Sequence, residues 1–235
     1  MFIDKYAPIK EIIKREHHTF FGGASGSGKS VLENSTLYTM LLDSPYHNLF
    51  VLIDTKGVEL SLFKDAPHCV KYTNDPDEVY PVLQGVIRVM EARKARMESL
   101  GLRKSDEPNL WVVIDEWFDI KTICDKRCIK QLELLSARAR AFNIYILASS
   151  QRCTKDVLSG VVATNFSCRV GLKTINAQDS RNLIFKKGCE TLPRYGKGIM
   201  LIDSDYSEID IPLTTDEEII ERVNWWKQNF KLKEN

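Results

Sequence analysis

The 235 residues include 33 Lys and Arg against 32 Asp and Glu, a formal net charge of +1, and 43% are hydrophobic. Such a balance argues against a protein coated in basic surface, although a local basic strip along a groove or pore remains compatible with it. The apolar runs are shorter than the ~18 residues that a membrane span needs, and the charged start resembles no signal peptide. We therefore expect one cytoplasmic domain with a sizeable core.

Short apolar runs alternate with longer amphipathic stretches along the chain. The predicted order is strand His18–Phe21, helix Lys29–Leu42, strand Leu49–Asp54, helix Pro76–Leu100, strand Leu110–Asp115, a helix ending near Ala141, strand Ile144–Ser149, strand Phe166–Leu172, a hairpin after Gly196 and helix Thr215–Phe230. Continuous apolar strands between helices are typical of a parallel sheet covered on both faces. The pattern thus predicts an α/β fold with a small C-terminal hairpin and a terminal helix.

A glycine-rich turn joins the first strand to the first long helix and fits the pattern G-x-x-x-x-G-K-[ST]. Its glycines let backbone N–H groups curl around phosphates, and the following helix N-terminus attracts negative charge. Lys29 is expected to reach the β- and γ-phosphates of ATP, and Ser30 to bind Mg²⁺. The predicted nucleotide contacts are Gly23, Ala24, Ser25, Gly26, Ser27, Gly28, Lys29, Ser30 and Val31.

A nucleotide site of this kind needs an acidic partner at the end of a neighbouring strand. Two strands end in aspartate, at Asp54 and Asp115, but only Asp115 is followed by a second acid, Glu116. This favours Asp115 as the Mg²⁺ partner and Glu116 as the base that orients and deprotonates water. The alternative is that Glu116 only stabilises the N-terminus of the following helix.

Six cysteines are present without a regular framework of spacings, which predicts thiols in a cytosolic protein. Cys124 and Cys128 lie four residues apart with no second pair or nearby histidine, so a metal site there is disfavoured.

Three segments resemble the motor core of the FtsK/SpoIIIE-type DNA translocases, over roughly residues 16 to 205. The first is Ile53–Leu62, the second is Val113–Asp119, and the most specific runs from Ala137 to about Ile184. This last segment contains Ala139-Arg140-Ala141, Leu147-Ala148-Ser149-Ser150-Gln151-Arg152 and Asp156-Val157-Leu158-Ser159-Gly160. Cys153 stands where the family usually has proline, and Asn143 where it usually has glycine.

The resemblance implies a RecA-like P-loop NTPase that forms a homo-oligomeric ring, a hexamer or a pentamer, around double-stranded DNA. It implies that Gln151 senses the γ-phosphate and that Arg140 reaches into the neighbour's site. Arg138 and Arg140, two apart on a predicted helix, are expected to face different sides, with Arg138 and Arg169 as the next candidates for the role of Arg140. Candidates for pore-facing or phosphate-sensing work are Lys56, Arg152, Lys155, Lys173 and Arg181.

The motif begins at Gly23 and only about 30 residues follow the core, so we expect a minimal motor. Its predicted divisions within a single domain, 1–235, are an N-terminal segment 1–15, a motor core 16–205 and a C-terminal strand and helix 206–235. We expect it to serve a mobile element or virus in DNA transfer, replication or genome packaging. A docking partner such as a relaxase, replication initiator or portal protein would then choose its DNA.

Two alternatives stay open from the sequence. One is an ATPase of the same fold that moves protein, as secretion motors do. The other is a nucleotide-dependent assembly module that hydrolyses ATP without moving anything.

Overall fold

An eight-stranded sheet forms the centre of the protein in a computed structural model that describes residues 4–158 and 160–230. The strands are β1 Thr19–Gly22, β2 Asn48–Ile53, β3 Cys69–Thr73, β4 Asn109–Ile114, β5 Ile144–Ser150, β6 Cys168–Gly171, β7 Lys197–Ile202 and β8 Asp205–Asp210. The helices are α1 Ala7–Lys14, α2 Lys29–Leu41, α3 Pro76–Leu100, α4 Trp117–Thr122, α5 Arg127–Arg138, α6 Val161–Asn165, α7 Ala177–Ile184 and α8 Asp216–Asn229.

The strand order is β3-β2-β4-β5-β1-β6-β7-β8. The first six strands in this order are parallel, whereas β7 pairs antiparallel with β6 and β8 pairs antiparallel with β7. The predicted α/β fold, with a mostly parallel sheet, a C-terminal hairpin and a terminal helix, is confirmed. Because the carboxyl ends of parallel strands lie on the same side of the sheet, the loops after β1, β2, β4 and β5 lie close together there.

Both faces of the sheet are covered, and β4 shows why. Leu110, Val112 and Ile114 pack into a core with α3, α4 and α5, while Trp111 and Val113 point to a second core with α1, α2 and α8. Successive side chains of a strand point to opposite faces, so a strand buried on both sides has to be apolar throughout.

The sequence prediction lacked several elements of the structure, among them α1, β3, α6 and α7. β3 is an edge strand whose middle residues are exposed, so it lacks the continuous apolar run of the inner strands. α1 lies inside the segment 1–15 and packs against α2 through Ile9 and Ile12, both fully buried. The boundary expected at residue 205 falls on the first residue of β8.

Across residues 4–158 and 160–230, none of the helices combines the length and the apolar character that crossing a membrane requires.

Candidate nucleotide site

The phosphate-binding loop connects β1 to α2 and is shaped by two glycines in the left-handed region. Gly26 has φ +71° and Gly28 has φ +92°, conformations that glycine adopts without steric cost. Gly28 is also the residue before α2, and no side chain caps the helix there. The first amides of α2 are therefore free to bind phosphate oxygens.

The loop is also held tightly at its start. The Ala24 amide donates to the Lys173 carbonyl at 2.8 Å, which ties the loop to the segment after β6. A Cβ atom at Gly23 would lie 2.5 Å from Ser27 Oγ and 2.8 Å from Leu172 Cβ. Any larger residue at position 23 would thus push the loop out of shape.

Lys29, the first residue of α2, is almost completely buried beneath the loop. Its ammonium donates to Asp115 Oδ1 at 2.7 Å, to the Asp115 carbonyl at 3.0 Å, to Ser149 Oγ at 2.9 Å and to Glu33 Oε2 at 3.1 Å. Burial alone would lower the pKa of Lys29, but the carboxylates of Glu33 and Asp115 more than offset this, and the pKa lies above its ordinary value. The ammonium is charged and ready to meet phosphates.

Asp115 and Glu116 follow β4, between the ends of β2 and β5, and both are buried. Glu116 accepts from Ser150 Oγ at 2.5 Å through Oε1 and from the Gln151 amide at 3.1 Å through Oε2, and Lys56 Nζ lies 3.7 Å from Oε2. It also accepts a longer bond, 3.4 Å, from the Phe118 amide at the start of α4. The helix contact of the alternative interpretation is thus real but is only one of several that fix this carboxylate.

Asp54, the other candidate acid, has a structural role. Its two oxygens accept from the Gly57 amide and the Leu60 amide, each at 2.9 Å, and its side chain is fully buried. These bonds shape the turn after β2, where Gly57 has φ +70°. The same turn contains Lys56, whose ammonium lies near Glu116. Asp54 therefore contributes to the site by fixing the backbone of this turn.

The predicted Mg²⁺ ligands fit that ion by their chemistry. Mg²⁺ prefers hard oxygen donors and keeps several waters, and Ser30 supplies a hydroxyl in the first turn of α2 while Asp115 supplies a carboxylate. Ser30 follows Lys29 in the sequence, and Asp115 accepts a hydrogen bond from the Lys29 ammonium. Mg²⁺ binding by Ser30 and Asp115 stays a prediction.

Gln151 and Arg140 lie near opposite ends of the central strand β5. Gln151 follows the last residue of β5, and its exposed side chain stands at the nucleotide edge. Arg140 precedes the first residue of β5, Ile144. A seven-residue strand spans about 20 Å, so Arg140 is out of reach of its own nucleotide.

Arg138 and Arg140 line one cleft of about 670 Å³, together with Arg15, Arg103 and Lys104. The expectation that the two arginines face different sides is wrong. Helix α5 ends at Arg138, whose φ of −128° breaks the helical path, and Ala139–Phe142 form a separate 3-10 turn. The resulting cleft is basic and open, a shape suited to an anionic group from a neighbouring molecule.

Arg169 is fully buried and cannot reach a neighbour's nucleotide. Its guanidinium donates to the carbonyls of Phe166 at 3.0 Å, Leu183 at 3.1 Å and Ala163 at 2.9 Å. Burial lowers its pKa to about 10. Arg169 therefore has a structural role, because its hydrogen bonds join β6 to α6 and α7. It is no longer a candidate for the role of Arg140.

Replacing Arg169 by leucine is expected to lower the free energy of unfolding by at least about 2 kcal/mol, because buried carbonyls without a donor cost about 1–3 kcal/mol each. Chemical denaturation followed by circular dichroism would measure the change. The exposed Arg181→Leu serves as the control and should stay within about 0.5 kcal/mol. A decrease in the free energy of unfolding of less than about 1 kcal/mol for Arg169→Leu would contradict this structural role.

The other basic candidates have different surroundings. Lys173 donates to the Glu190 carbonyl at 2.6 Å, and the Arg152 guanidinium stacks over the Phe118 ring at 4.0 Å. The side chains of Lys155 and Arg181 are exposed. Their assignment to the pore or to phosphate sensing stays a prediction.

Two residues at the site were missed by the sequence prediction. Arg194 comes from a loop far along the chain, and its Nε lies 3.4 Å from the Gly26 carbonyl of the phosphate-binding loop. Glu33 shares a buried ion pair with Lys29. Its sequence signal is the spacing of four between Lys29 and Glu33 on one helix.

A sequence-family comparison decides the relationship of this chain. The model of the FtsK/SpoIIIE family matches residues 5–155. The chain belongs to the FtsK/SpoIIIE family. This membership agrees with the phosphate-binding loop and the acidic pair described above.

Curated relatives within the FtsK/SpoIIIE family agree over most of the chain. It is 30% identical over 234 residues to the DNA translocase FtsK of Tropheryma whipplei (strain TW08/27), covering 89% of this chain and 32% of that protein. It is 31% identical over 229 residues to that of Caldanaerobacter subterraneus subsp. tengcongensis, covering 91% and 32%. The chain spans about a third of the length of the curated relatives it matches.

Solved structures share the fold of this FtsK/SpoIIIE chain. The pCW3 conjugation coupling protein TcpA aligns with a TM-score of 0.77 at 18% identity, covering 89% of this chain and 65% of that one. The cytoplasmic domain of the Thermomonospora curvata Type VII secretion ATPase EccC aligns with a TM-score of 0.72 at 22% identity, covering 89% and 28%. The predicted P-loop ATPase fold is thereby confirmed.

Proposed function

We propose that the protein hydrolyses ATP to move double-stranded DNA through a ring of identical subunits. The observation that carries this is Glu116, a fixed carboxylate next to the Lys29 and Asp115 pair in a family whose curated relatives are DNA translocases. A second acid held beside a phosphate-binding lysine suits hydrolysis by water rather than transfer to another substrate.

Each residue has a defined part in the proposed reaction. The loop amides and the N-terminus of α2 bind the phosphates, and Lys29 turns from Asp115 to the β- and γ-phosphates. Ser30 and Asp115 would hold Mg²⁺, which when bound neutralises charge on the phosphate oxygens. Glu116 accepts the proton of the attacking water, while Gln151 contacts the γ-phosphate from the end of β5.

The position of Arg140, before β5 and so at the opposite end of the strands from its own phosphate-binding loop, supports a ring of subunits. We propose that this arginine completes the site of the next subunit in a hexamer, with a pentamer as the other closed form. A guanidinium is planar, always charged and able to grip two phosphate oxygens. The basic cleft around it would receive the neighbour's nucleotide edge.

We further propose a role in DNA transfer, replication or genome packaging for a mobile element or virus. The fold likeness includes a conjugation coupling protein and, with a TM-score of 0.53 at 14% identity, the genome packaging NTPase B204 from Sulfolobus turreted icosahedral virus 2. A relaxase, replication initiator or portal protein is the proposed docking partner.

Double-stranded DNA of any sequence is expected to stimulate ATP hydrolysis, and the protein with ATP is expected to displace a third strand from a DNA triplex. A non-hydrolysable analogue in place of ATP is the control for movement. Stimulation by a protein substrate but not by DNA would favour a secretion-type motor. ATP hydrolysis without strand displacement would favour an assembly module.

DNA affinity is expected to fall steeply with salt, because a motor that accepts every sequence binds phosphates rather than base edges. The log–log slope should be about −0.9 per phosphate neutralised, and it should be the same for AT-rich and GC-rich duplexes. Fluorescence anisotropy across a salt series measures it. A salt-insensitive and sequence-selective complex would contradict translocation.

A further inference from the structure

Glu33 is a buried acidic residue at the nucleotide site for which the proposed mechanism has no use. It lies one turn after Lys29 on α2, and its side chain is fully buried. Its Oε2 accepts from Lys29 Nζ at 3.1 Å, whereas its Oε1 has no hydrogen-bond partner among residues 4–158 and 160–230. Lys29 is thus the charged partner of Glu33, and the Ser149 hydroxyl is another polar group close to it.

The charged groups that face Glu33 are Lys29 on its own helix and Asp115 after β4, and Ser149 of β5 is close by. Burial raises the pKa of Glu33 to about 8 and the nearby Asp115 adds to this rise, whereas the Lys29 ammonium, 3.1 Å from Oε2, favours the charged carboxylate. A buried carboxylate without a partner is strongly unfavourable. The Lys29–Glu33 pair therefore stabilises the arrangement in which the Lys29 ammonium is bonded to Glu33, Asp115 and Ser149.

The Lys29 ammonium has three N–H groups, yet four acceptors surround it at 2.7–3.1 Å. Nucleotide phosphates would add further acceptors on the loop side. Lys29 has to give up some of its present partners to reach them, and the loss of Glu33 is costly because that carboxylate stays buried.

We propose that Glu33 competes with the nucleotide phosphates for Lys29, which weakens nucleotide binding and speeds product release. This inference rests on the proposed nucleotide site and adds a positioning residue to it. In a motor that must discard ADP at every cycle, an internal competitor for the lysine returns the site to its empty arrangement. Glu33 acts through Lys29 and touches no reacting atom.

The opposite view is that the Glu33 ion pair holds Lys29 in its productive place. The two views predict opposite signs for the neutral variant Glu33→Gln. Under competition this variant binds nucleotide more tightly, because Lys29 leaves a neutral amide more easily than a carboxylate. Under productive positioning it binds more weakly.

The test measures the Kd of ADP and of ATPγS for the full chain without DNA. Each nucleotide is titrated against a bound fluorescent nucleotide, and displacement of the fluorescent one reports binding. Glu33→Gln is expected to lower the Kd by about tenfold, in line with the contribution of a hydrogen bond between charged groups, and to slow ADP dissociation by a similar factor. Glu33→Leu, which replaces the buried charge with an apolar side chain of similar size, should act in the same direction if Glu33→Gln fails to fold.

The Lys29→Ala background provides the control. There the ammonium is absent, so Glu33→Gln should change the Kd by less than about twofold. Equal tightening with and without Lys29 would mean simple repulsion of the phosphates by Glu33 and would overturn competition. Unchanged or weaker binding by well-folded Glu33→Gln and Glu33→Leu would overturn it as well.

The experiments distinguish failure of this inference from failure of the proposed function. A wild-type chain that binds no nucleotide would refute the proposed function and this inference together. Wild-type nucleotide binding and DNA stimulation, with no tightening in Glu33→Gln, would refute the competition alone.

Discussion

Glu116→Gln is expected to bind ATP with nearly wild-type affinity and to lose about 10²–10⁴-fold in turnover. Glutamine keeps the shape of the side chain and can still contact Ser150 and the Gln151 amide, where Glu116 now accepts at 2.5 and 3.1 Å. It cannot take a proton from water. The effect should therefore fall on kcat and leave binding almost untouched.

Steady-state ATPase assays with saturating DNA measure kcat, and titration with ATPγS measures binding. Glu133→Gln is a matched control, because Glu133 is an exposed glutamate on α5 that the proposed reaction does not use, and it should behave as wild type. Turnover of Glu116→Gln near the wild-type rate would remove Glu116 from the chemistry. Equal losses of binding and turnover would indicate that Glu116 mainly supports the fold of the site.

The parts of the site that the sequence predicted are those encoded by local patterns. The phosphate-binding loop follows from a short motif between a strand and a helix. The choice of Asp115 over Asp54 followed from the adjacent Glu116, and the structure supports it by showing both Asp54 oxygens bonded to backbone amides. Local spacing suffices here because each motif lies within one loop.

What the sequence did not predict depends on distant parts of the chain or on breaks in regular geometry. Arg194 reaches Gly26 across 168 positions, and no local pattern indicates such a contact. Arg138 and Arg140 share a cleft because helix α5 ends at Arg138. The sequence prediction assumed one continuous helix through both residues, and on such a helix they would face different sides. The exposed edge strand β3 lacks the apolar run by which buried strands are recognised.

Arg140→Ala is expected to lower DNA-stimulated ATP hydrolysis by about 10³–10⁵-fold, the range for arginines that stabilise transition-state charge in P-loop enzymes. The side chain is exposed and lies at the edge of the sheet opposite its own loop, so any effect on hydrolysis must pass to another subunit. Nucleotide affinity should change little. Arg140→Lys, which keeps the charge but loses the planar fork, should recover only part of the rate.

Mixing variants distinguishes action on a neighbour from action within one chain. Arg140→Ala keeps the phosphate-binding loop intact, and Lys29→Ala keeps the arginine intact. Each should be nearly inactive alone, whereas a mixture should recover partial ATPase activity, because some interfaces then pair a good loop with a good arginine.

Arg138→Ala belongs in the same experiment, because Arg138 lines the same cleft. If Arg140 is the residue that reaches the neighbour, Arg138→Ala should retain most activity and should not be needed for recovery in the mixture. Loss in Arg138→Ala with near-normal hydrolysis in Arg140→Ala would transfer the role to Arg138, since the buried Arg169 has no access to a neighbouring site. Near-normal hydrolysis in both variants, within assembled rings on DNA, would mean that the basic cleft does not complete the neighbour's active site.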